Sequence, residues 1–206
     1  MKRVITIAAL LVASLQVSAQ ESGFDKFLKQ IWFPTEFGYS LPVGQGMNSG
    51  LVTRIAVEWR QEDQSGLCAS VNFDTRYNSY TDRTPAGTNL TGGDVDFNDL
   101  YIGAGYRKQL SESFCAALML HGGYSFCDYR NVAASTSTPG SFALEGRSSG
   151  APVVKLTSFY EFYIDPKFCV FLTAGYAQQL GTGPFADNFA EGGSVLLSLG
   201  FTAAIF

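Results

Sequence analysis

Ten charged residues of this chain fall on one parity of its strand-like segments, and their balance is the first chemistry on offer. Glu36, Glu58, Asp74, Asp99 and Glu161 stand against Arg54, Arg60, Arg76, Arg107 and Lys155, five acids and five bases. A solvated face needs no such balance. An enclosed face does, because removing one partner of a buried ion pair costs roughly 3–5 kcal/mol. His121, the single histidine, lies in Leu120-His121-Gly122-Gly123. It would need a serine and an acid beside it to act as a general base. No nucleophile motif surrounds it, so a polar packing role is expected and no catalytic residue is assigned. Cys68, Cys115 and Cys169 each take the second position after a tight turn, with Cys127 further along its segment. The four lack CxxC spacing, which removes the usual zinc pattern. The three after turns sit on alternate strands, about twice the ~4.8 Å strand spacing apart, beyond the reach of a disulfide. Small buried thiols are expected, with no metal and no cofactor.

The elements that must position these residues show best between Leu51 and Tyr80. Leu51, Thr53, Ile55, Val57 and Trp59 alternate with Val52, Arg54, Ala56, Glu58 and Arg60. After Asp63-Gln64-Ser65-Gly66 the pattern resumes, with Leu67 to Tyr77 against Cys68 to Asn78. Successive strand residues point to opposite faces, so this is a hairpin with one apolar and one charged face. The same reading along the chain gives eight strands: Ile31–Leu41, Leu51–Glu62, Leu67–Tyr80, Asp96–Leu110, Phe114–Asn131, Ala151–Asp165, Phe168–Leu180 and Ser194–Phe206. Helical spacing occurs only at Phe24, Phe27, Leu28 and Ile31, which fit a short amphipathic helix before the first strand.

Three connections are tight: Asp63–Gly66, Ser111–Ser113 and Asp165–Lys167. Four are long and polar: Pro42–Gly50, Thr81–Val95, Val132–Gly150 and Gly181–Gly193. Short and long alternate strictly, so a meander puts all short turns at one end and all long loops at the other. Membrane barrels have this asymmetry, and strands of about ten residues suit a tilted crossing.

Lys2 and Arg3 precede an apolar run from Val4 to Leu15 and the small residues Val17-Ser18-Ala19. That predicts a signal peptide over residues 1–19, an N-terminal periplasmic segment over 20–30 and a barrel domain over 31–206. Net charge is −4 and the basic residues are scattered, which makes nucleic acid a poor partner. A soluble, lipocalin-like barrel would alternate too, with its apolar parity inside. Three features favour the inverted arrangement. Aromatics of the apolar parity gather near strand ends: Phe33, Trp59, Tyr106, Phe114, Phe162 and Phe168 at the turns, joined there by Phe206 at the chain end, and Tyr39, Tyr77, Tyr124, Phe126 and Tyr176 toward the loops. The charged parity is balanced. It is otherwise rich in small residues such as Gly38, Ser70, Gly103 and Gly175, which leave room for long side chains.

Taken together, the chain resembles the small OmpA/OmpX-type outer-membrane barrels over Ile31 to Phe206, as a pattern and not through a diagnostic motif. Its Ser18-Ala19-Gln20 boundary is similar to signal junctions of Bacteroidetes secreted proteins. The resemblance implies an all-β, eight-stranded, antiparallel up-and-down transmembrane barrel with short periplasmic turns and long extracellular loops. It implies residence among outer-membrane lipid and contact with the barrel-assembly machinery, for which Phe206 would be the assembly signal. Phe206 departs from the family by lying out of phase with Val195, Leu197, Leu199, Phe201, Ala203 and Ile205, so a bulge or chain-end twist near Ala203–Ala204 is expected. The ten charges then form a salt-bridged, non-conducting lumen network in a structural or surface-interaction protein. The long loops are candidates for a surface ligand. The helix before the first strand also resembles that of the lipid A palmitoyltransferase barrel, which keeps a lipid-modifying enzyme, with a small pore and a soluble binder, as alternatives.

Overall fold

The computed structural model describes residues 27–43, 47–61, 65–80, 88–90, 93–130, 132–136, 141–144, 147–180 and 193–204. The expected signal peptide, Phe24 and Phe206 lie outside them. Twelve strands are present among the described residues: β1 (Ile31–Trp32), β2 (Thr35–Pro42), β3 (Met47–Arg60), β4 (Gly66–Tyr80), β5 (Thr88–Leu90), β6 (Gly93–Ser111), β7 (Phe114–Arg130), β8 (Val132–Thr136), β9 (Ser141–Leu144), β10 (Arg147–Asp165), β11 (Phe168–Gln179) and β12 (Ser194–Ala203).

Nine of these close into one antiparallel barrel in the order β1-β3-β2-β12-β11-β10-β7-β6-β4, sealed by pairing of β3 with β4. It has eight staves, because β1 and β2 are two parts of the first. Pro34 divides them: it has no N–H to give to the ladder. Its carbonyl still accepts from the Ala56 N–H (2.9 Å), and the Phe33 N–H reaches the Ala203 carbonyl (3.1 Å). Paired residues climb the wall. Glu58 faces Ser70, then Gly103, His121, Lys155, Ala177 and Ser194 in turn, and Ser194 faces Pro42, at the opposite end of the barrel from Glu58. Staves tilted in this way are a condition of barrel closure.

Two tight connections are two-residue turns, Glu112-Ser113 between β6 and β7 and Pro166-Lys167 between β10 and β11. The Asp165 carboxylate accepts the Lys167 N–H at 3.0 Å and fixes the second. Gly66, at φ 113°, takes the left-handed conformation that starts β4. Before β1, residues 27–29 make one helical turn, and the Gln30 side chain ties it to the Gln61 carbonyl (2.7 Å) and the Trp59 indole (3.1 Å).

The loop end differs from the expected strand limits. β3, β6 and β10 begin at Met47, Gly93 and Arg147, several residues earlier than the alternation places them. The segments expected to be loops also hold β5, β8 and β9, paired as a small sheet in the order β5-β8-β9. The early ends of β3, β6 and β10, residues 47–50, 93–94 and 147–150, are mostly polar or small, so alternation does not mark them, yet their backbone ladders persist. Up to Ala204 the last strand shows no bulge, and the chain end beyond it, where a twist is the other expectation, lies outside the described residues. Phe201 pairs with Thr35 and Ala204 with Trp32 in one constant register.

A lumen of paired charges

Alternation turns β3 into two chemistries. Arg54 is 2% exposed, and its neighbour Ile55 is 59% exposed. All ten charged residues of the predicted network are buried on the inside, while Ile102, Leu120, Leu156, Leu172 and Leu199 stand exposed on the outside. Tyr106, Phe162 and Phe168 ring the turn end of that outer wall, and Tyr39, Tyr77, Tyr124 and Tyr176 ring the loop end.

The charges assemble in three tiers. At the turn end, Glu58 and Arg60 of β3 meet Arg107 of β6 and Glu161 of β10. Arg60 Nε donates to Glu58 Oε1 (2.9 Å) and its Nη2 to Glu161 Oε1 (3.2 Å). Arg107 binds Glu58 through Nη1 (2.5 Å) and Glu161 through Nη2. Each charge has two opposite partners, which closes a four-membered cycle across three staves. The Tyr163 hydroxyl accepts from Arg60 Nη1 at 2.8 Å, and the Arg60 guanidinium lies 4.0 Å from the Trp32 ring centre.

In the middle tier, Arg54 Nη2 pairs with Glu36 Oε2 at 2.9 Å, and Thr173 Oγ1 donates to the same oxygen at 3.0 Å. Lys155 Nζ pairs with Asp74 and sits 4.2 Å from the Tyr101 ring centre. At the loop end Arg76 binds Asp99 Oδ2 through Nε (3.0 Å) and Nη2 (2.9 Å), and its Nη1 reaches Ser194 Oγ (3.1 Å). Gln179 Nε2 donates to Ser125 Oγ (2.7 Å) and Cys127 Sγ (3.1 Å) nearby. Eight staves leave an interior that side chains can fill, and these side chains are buried in it.

Sequence reasoning missed the aromatic half of the lumen. Trp32, Phe97, Tyr101, Phe159 and Phe171 are buried inside with Met119. Four of the five bases lie against one of these rings, at 4.0–4.8 Å from the ring centre. Cations over aromatic faces gain electrostatic attraction, more so when desolvated. The signal was parity: Phe159 alternates in phase with Lys155 and Glu161.

His121 is 1% exposed, and its Nε2 lies 3.3 Å from Ser70 Oγ. It packs over Gly103, where any Cβ would strike the imidazole. Among the described residues no carboxylate hydrogen-bonds to the ring, so the third member of a Ser–His–acid arrangement is not supplied. The four cysteines are free and buried, and no cluster of metal-binding side chains occurs among the described residues.

The sequence matches no protein-family model and no curated protein. Among solved structures, the fold is similar to Neisserial surface protein A, with 15% identity over 85% of this chain and 97% of that one and a TM-score of 0.54. Ail, the attachment invasion locus protein of Yersinia pestis, aligns at 13% identity over 84% of this chain and 99% of its own, with a TM-score of 0.45. The N-terminal barrel domain of Pseudomonas aeruginosa OprF aligns at 11% identity over 85% and 97%, with a TM-score of 0.42. The likeness is one of fold: this chain is a closed, eight-stranded antiparallel barrel of the kind built by outer-membrane proteins.

Proposed function

We propose that this protein resides in the outer membrane as an integral barrel with a sealed, non-conducting lumen, and serves a structural or surface-interaction role. The observation that carries the reading is the inversion of polarity, with ten paired charges buried within and an apolar wall without. In water that wall would expose a large contiguous apolar surface, which soluble monomers avoid. In lipid it is the stable arrangement, since every wall strand is paired and the barrel has no open edge.

The partners follow from the same geometry. Lipid covers the wall. The barrel-assembly machinery would engage the last strand, where Phe206 is the proposed signal. The β5-β8-β9 sheet gives the loop end a surface on which a ligand could be recognised. A Bacteroidetes-type origin rests on the Ser18-Ala19-Gln20 junction alone. No catalytic role is proposed for the Ser70–His121 pair, which is buried inside the barrel and, among the described residues, has no carboxylate hydrogen-bonded to the imidazole.

Two measurements test this. The detergent-extracted protein is expected to migrate differently on gels before and after boiling, as a closed barrel does. Recovery in the soluble periplasmic fraction without detergent would overturn the membrane assignment. In planar bilayers the wild-type protein is expected to be silent, and steady conductance would sink the sealed-lumen reading.

A further inference from the structure

The charged tiers are not stacked directly on one another. Between the turn-end cycle and the middle tier lies an apolar layer, built from Cys68, Ala117, Met119, Phe159 and Phe171, all buried. Its level follows from chain order. Inward residues on β10 run Glu161, Phe159, Thr157, Lys155 from turn to loop, so Phe159 separates the cycle from the middle tier. On β11 they run Cys169, Phe171, Thr173, and on β7 Cys115, Ala117, Met119, His121. The Phe159 and Phe171 ring centres are 5.8 Å apart. Neighbouring staves make room for the layer. A Cβ on Gly200 would strike the Phe171 ring, and one on Gly105 would lie 2.7 Å from Met119 Cγ. The layer therefore extends over β6 and β12 as well.

The tiers on either side differ from it in kind. Arg54 Nε, Asp74 Oδ1 and Thr157 Oγ1 on the loop side, and Arg107 Nε and Thr202 Oγ1 on the turn side, find no hydrogen-bond partner among the described residues. Buried polar atoms left open in this way are where internal water binds. The apolar layer offers water no such atom but weak thiol and thioether sulfurs, and apolar cavities stay dry.

We propose that this septum, and not the ion pairs, seals the lumen. This rests on the sealed-lumen reading above. A paired charge can hydrate and rearrange, and it attracts ions of one sign to each partner. A dry apolar constriction blocks both signs by refusing their hydration shells, as hydrophobic gates do. The ion pairs then hold the staves together, and Phe159 and Phe171 close the path.

The test compares bilayer conductance of wild type, the Phe159→Ala/Phe171→Ala double variant, a Phe159→Leu/Phe171→Leu control and Asp99→Asn, each first shown to be folded by heat-modifiable migration. The double variant is expected to show steady ion conductance where wild type shows none. The leucine control and Asp99→Asn are expected to stay silent. If the double variant does not fold, Phe171→Ser, which puts a hydroxyl into the septum, is expected to leak in its place. A folded alanine or serine variant as silent as wild type overturns the septum while leaving the sealed lumen intact. So does an Asp99→Asn barrel that leaks as much as the double variant. Conductance by wild type itself would instead overturn the sealed lumen.

Discussion

The two faces of each stave are held by different physics. Inside, every charged residue has named partners at fixed distances: Arg107 reaches two carboxylates on two other staves. Outside, Ile102, Leu120 and Leu199 are exposed and, on the proposed membrane reading, need only be apolar, because lipid has no fixed partner to offer. The lumen is thus a set of specific bonds, and the wall a generic solvent match. Losing one bond inside strands its partner in a place water cannot easily reach. Changing one residue outside matters according to its depth and polarity alone.

The largest effect should come from breaking the turn-end cycle. Glu161→Gln leaves Arg60 and Arg107 with Glu58 as their one remaining carboxylate. Loss of a buried partner costs about 3–5 kcal/mol, read as a fall in unfolding free energy from urea titration in micelles. A change under about 1 kcal/mol would show that water already screens the cycle.

On the wall the expected costs are smaller and graded. Ile102, 70% exposed, lies between Tyr106 at the turn end and Asp96 toward the loops. Ile102→Arg should cost about 2–4 kcal/mol, the value for arginine near the bilayer midplane, and Tyr106→Arg about 0–1 kcal/mol at the interface. Equal costs at the two sites would refute the depth assignment, and with it the girdle reading of Tyr106.

Additivity separates the faces more finely. Glu161→Gln combined with Arg107→Gln should depart from the sum of the single changes by about 0.5–3 kcal/mol, because the two side chains share one bond. Glu161→Gln combined with Ile102→Arg should add to within about 0.5 kcal/mol. Coupling between lumen and wall of the size found within the lumen would mean that the two faces do not act independently.

How much of this the sequence discloses depends on which periodicity carries the information. Period-two alternation between Leu51 and Tyr80 is enough to place Arg54, Glu58 and Asp74 on one face and Ile55, Val57 and Phe73 on the other. It cannot say which arginine meets which acid. Arg60 and Glu161 are joined across 101 positions of chain, and their meeting depends on the tilt of the closed sheet. Nor does alternation single out β5, β8 or β9, which are only 3, 5 and 4 residues long. Phe159 and Phe171 were legible by parity, but aromatic residues in a membrane barrel invite assignment to the girdles. The helix and the Phe206 signal fall partly or wholly outside the described residues.

Two glycines on neighbouring staves give the smallest and cleanest contrast. Gly103 faces inward and pairs with His121, and Gly122 faces outward and pairs with Ile102. A Cβ at Gly103 would collide with the imidazole ring, whereas one at Gly122 would meet nothing within 4 Å. Gly103→Ala should therefore destabilise by about 1–3 kcal/mol, since the crowded lumen must shift to admit it. Gly122→Ala should stabilise by about 0.4–1 kcal/mol, because it restricts the unfolded chain and fills open space on a wall that rewards apolar surface. Paired urea titrations decide it. If both substitutions cost the same, strand glycines here serve backbone geometry and not the packing difference between the two faces. If only Gly103→Ala is costly, the histidine's bed is set by one missing methyl group.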